Sequence, residues 1–77
     1  MNRKDRKMLN HYIENLEELY IHIEDIQLEE LEKFNRLEVS LQDSILGDSL
    51  HFASLHLSNA IAQIAKSISS IKEAIEK

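Results

Sequence analysis

Histidine and carboxylate side chains are the first candidates for chemistry in this sequence. His11 and His22 fall on one line of a helix, and Glu18 and Asp25 lie beside His22. Imidazole and carboxylate groups arranged in this way can bind a divalent metal. The Glu-x-x-His pairs of di-iron helical bundles do not occur, however, and these residues share the polar side of the helix. We therefore interpret them as a solvated surface and predict no metal and no cofactor.

Neighbouring acids and serines do not form a catalytic pattern either. Adjacent carboxylates such as those of Glu17 and Glu18 diverge on a helix, whereas catalytic carboxylates need burial or close approach. The sequence has no glycine-rich phosphate loop and no nucleophile elbow. Ser40 and Ser44 have ordinary helix-capping roles open to them. We expect a protein that is not an enzyme.

Charge is distributed unevenly along the chain, whose net charge is −5. Residues 2–7 carry four basic side chains and one acid, whereas residues 14–48 carry eleven acids and two basic side chains. The acidic region repels nucleic acid, so nucleic acid is not an expected partner. Spaced carboxylates can also imitate the phosphates of a DNA backbone. The basic side chains could bind a phosphate-bearing ligand or the acidic region of a neighbouring copy, and they are Arg3, Lys4, Arg6 and Lys7.

Two amphipathic stretches would position these groups. From Leu57 to Ile75, apolar residues recur at alternating spacings of four and three, which is typical of a coiled-coil heptad. Small residues flank this seam and favour contact with more than one neighbouring helix. From Leu9 to Leu41, apolar residues also cluster on one side of a helix. Residues 1–7 could form a flexible basic tail or the first turn of that helix.

The chain should turn between the two stretches. Projecting the second seam backwards places Ser54, Gly47, Asp43 and Ser40 on it, so the seam cannot continue as one long rod. Ser40 with Asp43 resembles an N-cap arrangement, and Gly47 can supply a positive φ. A capped turn between two amphipathic helices makes an antiparallel hairpin.

The predicted fold is a single all-α domain over residues 1–77. Its two helices should span about 8–38 and 49–75, and a short helical turn could form over 41–46. A chain of this length without cysteine buries too little apolar surface to be stable alone, so hairpins should assemble into a four-helix bundle or a larger homo-oligomer. The residues predicted to form the oligomer core are Leu16, Leu19, Ile23, Phe34, Leu37, Leu57, Ile61, Ile64, Ile68 and Ile71.

A second, thinner apolar stripe lies away from the main seam. Several apolar side chains in line favour a further contact surface, although isolated exposed apolar residues are also common. The residues predicted to face a protein partner are Ile21, Leu28, Val39, Phe52 and Leu55.

Membrane association is not expected from the sequence. No apolar run is long enough to span a bilayer, and the basic start is followed by an amphipathic pattern rather than by a signal-peptide core. We predict a cytoplasmic protein without a membrane partner.

The hinge resembles the centre of small helical proteins that phages and prophages encode. Residues 34–44 read Phe-Asn-Arg-Leu-Glu-Val-Ser-Leu-Gln-Asp-Ser, and Gly47 and Asp48 follow. In that family a Phe precedes an Asn-Leu-Pro-Glu-Ser-Leu-Gln-x-Ser-Glu-x-Gly-Glu run, and a heptad helix rich in Ala, Ile and Leu comes next. This chain departs from the pattern at Glu38, where the family has Pro, and at Ile45 and Leu46, where it has charged residues.

Three functions remain open from the sequence. The resemblance implies a phage setting, where a protein of this size would bind a component of a host defence system and block it in the host cytoplasm. Alternatively, a homo-oligomer could sequester a phosphate-bearing signal nucleotide between the basic cluster of one copy and the hinge of another. The hinge residues in question are Ser40, Gln42, Asp43 and Ser44. The third function is that of a structural scaffold.

Overall fold

A computed structural model describes residues 1–76 and shows a long helical hairpin. The elements are α1 (Arg3–Arg36), α2 (Val39–Gln42) and α3 (Ile45–Glu76), and the described residues contain no strand. The molecule measures 58 × 16 × 13 Å. The predicted all-α class and the hairpin are therefore confirmed.

The basic residues near the start of the chain belong to α1. Asn2 caps this helix, because its Oδ1 accepts a hydrogen bond from the Asp5 backbone N–H at 2.7 Å. The carboxylate of Asp5 in the first turn complements the helix dipole, as Lys33 and Arg36 do in the last turn. Of the two alternatives for residues 1–7, the structure has the helical one from Arg3 onward.

The short helix α2 lies earlier in the chain than the predicted turn at 41–46. It spans Val39–Gln42, so Ser40 lies inside it and is not its N-cap. The Gln42 side-chain amide donates to the carbonyl oxygens of Phe34 at 3.4 Å and Leu37 at 3.2 Å. The Phe34 carbonyl also accepts the Leu37 backbone N–H at 3.1 Å, so Gln42 adds a second donor there and supplies one to the Leu37 carbonyl just beyond the end of α1.

The second long helix begins at Ile45, four residues before the predicted start at 49. Ser44 is the reason, because its hydroxyl accepts from the Gly47 backbone N–H at 3.3 Å and donates to the Leu41 carbonyl. The Ser44 carbonyl also accepts the first helical bond, from the Asp48 N–H at 2.9 Å.

Gly47 is needed for close approach and not for a positive φ. It has helical backbone geometry inside α3 and is buried. A Cβ atom at this position would come within 2.1 Å of the Gln42 carbonyl oxygen. The expectation of a positive φ was wrong because a side chain here is excluded by the neighbouring backbone and not by the local torsion angle.

The seam between α1 and α3 runs the full length of α3. It continues through Ser54 to Gly47, both of which are buried, and the chain turns between α1 and α3 as predicted. The α1 side is formed at heptad spacing by Leu9, Ile13, Leu16, Tyr20, Ile23, Gln27, Glu30, Phe34 and Leu37. The α3 side is formed by Gly47, Leu50, Ser54, Leu57, Ile61, Ile64, Ile68, Ile71 and Ile75.

Neither long helix could cross a lipid bilayer, as judged over residues 1–76.

Candidate interaction surfaces

A single hairpin leaves an unusually large surface in contact with water. Its accessible area is 6035 Å², whereas a compact monomer of this mass exposes about 4,850 Å². Its radius of gyration is 17.4 Å, against about 11.5 Å for a compact domain of this length. Only Ile13, 4% exposed, and Ile61, 8% exposed, are buried apolar residues among those described. The core is thus one seam thick, and the flanks of both helices remain open.

The first open flank is a row of three large apolar side chains on α1, which we call the tyrosine face: Tyr12, Leu19 and Ile26. They are spaced seven residues apart beside the seam, and each is about half exposed. Small residues line the corresponding flank of the seam on α3, namely Ala53, Ala60, Ser67 and Ala74. Because flanking positions of the same heptad class are neighbours in an antiparallel pair, large and small side chains lie side by side on this face.

The opposite flank carries the predicted partner residues Ile21 and Leu28, which we call the isoleucine face. Both side chains are exposed. Beside Ile21 a shallow groove of about 310 Å³ runs between the helices, lined by Glu17, Tyr20, Ile21, Ala65, Ile68 and Lys72. The groove is apolar along its floor and carries one acid and one base at its edges.

The hinge is the most apolar exposed part of the molecule. Val39 is 79% exposed and Ile45 is 89% exposed, and Leu41 and Leu46 also face water. We call these four residues the hinge cluster. The remaining predicted partner residues, Phe52 and Leu55, lie exposed on the first half of α3, where the Phe52 ring is 4.1 Å from the His56 ring.

The opposite end of the hairpin combines methionines with basic side chains. Met1, Met8 and Tyr12 are exposed and line two shallow clefts there. The basic cluster is exposed on the same first turns of α1 and consists of Arg3, Lys4, Arg6 and Lys7. Apolar and basic groups therefore occur together at this end.

The residues predicted for the oligomer core are divided between two environments. Leu19 lies on the tyrosine face and is 51% exposed. The other nine lie in the seam inside one chain, half-buried or buried. The seam is already filled by α1 and α3 of the same chain, so only the flanks are free for contact with another chain.

The groups of the proposed nucleotide site are distributed over the two ends of the molecule. The basic cluster is at the open end of the hairpin, and the hinge residues are at the other. Gln42 and Ser44 already form the hinge hydrogen bonds described above, while Ser40 and Asp43 are exposed. A ligand could meet both groups only where two copies lie side by side.

The surface histidines each lie near a single carboxylate. His11 Nδ1 is 3.9 Å from a Glu14 oxygen, and His22 Nε2 is 3.8 Å from a Glu18 oxygen, with all four side chains mostly exposed. Among the residues that the structure describes, no three metal-ligating side chains converge on one point.

Comparison with protein-family models, with curated proteins and with solved structures gives no match for this chain. The resemblance of the hinge to phage-encoded helical proteins therefore stays a prediction.

Proposed function

We propose that this protein is a self-associating helical interaction module that acts by covering part of a partner protein, without catalysis. The observation that carries the proposal is the presence of apolar side chains on two opposite flanks of a hairpin whose own seam is already filled. Large exposed apolar patches on a soluble protein usually mark interaction surfaces.

The two flanks suit different occupants. The tyrosine face places a row of large side chains on α1 beside a row of small ones on α3, which favours packing against another helical pair. The isoleucine face offers a groove with a charged residue at each edge, and this favours a protein segment that brings both apolar and polar groups. Self-association through the first face would leave the second one free for a partner.

The proposed setting is a phage-infected cell, where the module would bind a component of a host defence system in the cytoplasm and block it. The similarity of the hinge sequence to phage-encoded helical proteins supports this setting. The acidic middle of the chain favours a protein partner with a basic surface over a nucleic acid.

The test separates the isoleucine face from the rest of the molecule. A variant with Ile21→Glu and Leu28→Glu should keep its helix content and its oligomeric state, because both side chains are exposed. It should fail to restore phage growth on a defended host that the unaltered protein renders sensitive. A matched control with Glu18→Gln and Asp25→Asn, on the polar side of α1, should restore growth fully. Equal activity of the two variants would refute the role of this face.

Sequestration of a phosphate-bearing nucleotide is the second candidate, and the exposed basic cluster is the observation that favours it. Two of the four hinge side chains it would need already hold the hinge together. Calorimetry with cyclic and ADP-ribose-type nucleotides distinguishes the candidates, since a module that acts only on proteins gives no heat of binding.

A further inference from the structure

We infer that the tyrosine face is covered by a second copy of this chain in antiparallel orientation, so that the hinge of each copy lies on the open end of the other. This inference rests on the self-association proposed above and adds its geometry. Three independent properties of the structure support it: the area to be covered, the charge along the rod and the apolar groups at its two ends.

The area fits a stable dimer of hairpins. The surface in excess of a compact monomer is about 1,200 Å² per chain, taken from the observed 6035 Å² and the value expected for this mass. A dimer that covered this excess on both copies would bury about 2,400 Å² in total, which lies in the range of permanent homodimers. Such a dimer is also a four-helix bundle.

The tyrosine face can supply this contact to itself. A two-fold axis brings the same patch of both copies together, so each residue contacts a different residue of the other copy. The large side chains of Tyr12, Leu19 and Ile26 on one copy can then pack over the alanines Ala53 and Ala60 of the other. Leu19 and Ile26 lie near the middle of α1, which places the axis near the middle of the rod.

Charge favours the antiparallel orientation. Residues 2–7 carry a net charge of +3, from four basic side chains and one acid. The hinge region carries the exposed acids Glu38, Asp43 and Asp48 and has no basic side chain between residues 37 and 48. An antiparallel pair places the basic end of each copy beside the acidic hinge of the other, whereas a parallel pair would place like charges together.

The apolar groups at the two ends point to the same orientation. The hinge cluster includes the most exposed large apolar side chain, Ile45, and the open end has clefts lined by Met8 and Tyr12. Methionine is flexible and adapts to irregular apolar surfaces. In an antiparallel pair each hinge cluster reaches the methionine-lined clefts of the other copy.

Cysteine cross-linking tests the orientation, since the chain has no cysteine of its own. Met8→Cys and Ile45→Cys proteins, one carrying a tag that alters its mass, are refolded together and treated with a short thiol–thiol cross-linker. The expected major product joins Met8→Cys to Ile45→Cys. Products that join two Met8→Cys chains, or no product from a protein that sediments as a dimer, would overturn the antiparallel geometry. An Asp25→Cys protein on the polar side of α1 is the control and should not cross-link.

Sedimentation of the unaltered protein tests self-association separately from the antiparallel orientation. A monomer at micromolar concentration would refute self-association itself, whatever the cross-linking shows. A dimer with the wrong cross-links would refute only the orientation. Circular dichroism of each cysteine variant confirms that its helices are intact.

Discussion

The side-chain amide of Gln27 donates a hydrogen bond to the Ser54 hydroxyl across the seam, with a separation of 3.0 Å. Ser54 is only 5% exposed, so this is a polar layer inside an otherwise apolar contact between α1 and α3. A polar pair of this kind fixes the register of two helices, because any slip along the seam leaves both groups facing apolar side chains.

Removing one member of this pair and removing both should have different effects on stability. Ser54→Ala leaves the Gln27 amide without its partner and should lower the free energy of unfolding by about 1 kcal/mol. Ser54→Ala combined with Gln27→Leu removes both polar groups and should recover that loss or exceed it. Thermal unfolding at one fixed protein concentration measures both effects. Additive losses in the double variant would show that the hydrogen bond does not couple the two positions.

Replacing Gly47 should destabilise the hinge even though alanine is the better helix former. At an ordinary helical position Gly→Ala stabilises by about 1 kcal/mol. At Gly47 the added Cβ would lie 2.1 Å from the Gln42 carbonyl oxygen, so the backbone of α2 must move. We expect Gly47→Ala to lower the free energy of unfolding by about 1–3 kcal/mol, as at other overpacked sites. The melting temperature should fall by several degrees. Ser49→Ala, exposed on the same helix, is the control, and a rise at Gly47 would show that the close approach is tolerated.

The long helices were predictable because their apolar residues repeat over many turns. The heptad from Leu57 to Ile75 survives in the structure without change, and it continues to Gly47. The sequence does not predict that the seam continues from Leu57 to Gly47, because serine and glycine are not typical seam residues. Ser54 is accommodated by Gln27, which is distant in sequence, and Gly47 by the backbone of Gln42. Such tertiary partners leave no local signal.

The helix ends at the hinge were predicted less well for the same reason. The sequence leaves capping roles open to Ser40 and Ser44 alike, and no local signal shows that Ser44 is the residue that caps α3. The bonds from Gln42 to the end of α1 depend on how α2 folds back, which no spacing in the sequence reports. The sequence does not decide between tail and helix at the open end, whereas the hydrogen bond from the Asp5 N–H to the Asn2 side chain shows that the helix begins there.

Two matched substitutions separate folding of the hairpin from association of its copies. Ile64 lies in the seam, so Ile64→Glu places a charge between α1 and α3 and should abolish most of the helical circular dichroism signal. Leu19 is 51% exposed on the tyrosine face, so Leu19→Glu puts no charge into the seam and should lose less of the helical signal than Ile64→Glu while sedimenting as a monomer. A Leu19→Glu protein that still sediments as an oligomer would show that another surface joins the copies.

The strength of the association should depend on salt if the basic end of one copy lies beside the acidic hinge of another. Exposed ion pairs contribute about 0.2–1 kcal/mol each, and a two-fold axis repeats every pair. Lys7→Glu should therefore raise the dimer dissociation constant by roughly fivefold at low ionic strength. Most of this difference should disappear near 1 M salt, because the screening length falls to about 3 Å there. Lys72→Glu makes the same change of charge beside the groove at Ile21, away from the cleft that Lys7 shares with Tyr12, and should leave dissociation nearly unchanged. Sedimentation equilibrium of the unaltered protein and both variants at two salt concentrations gives the six constants needed. Equal effects of the two substitutions would mean that only net charge matters, and that the basic end does not meet the hinge of a second copy.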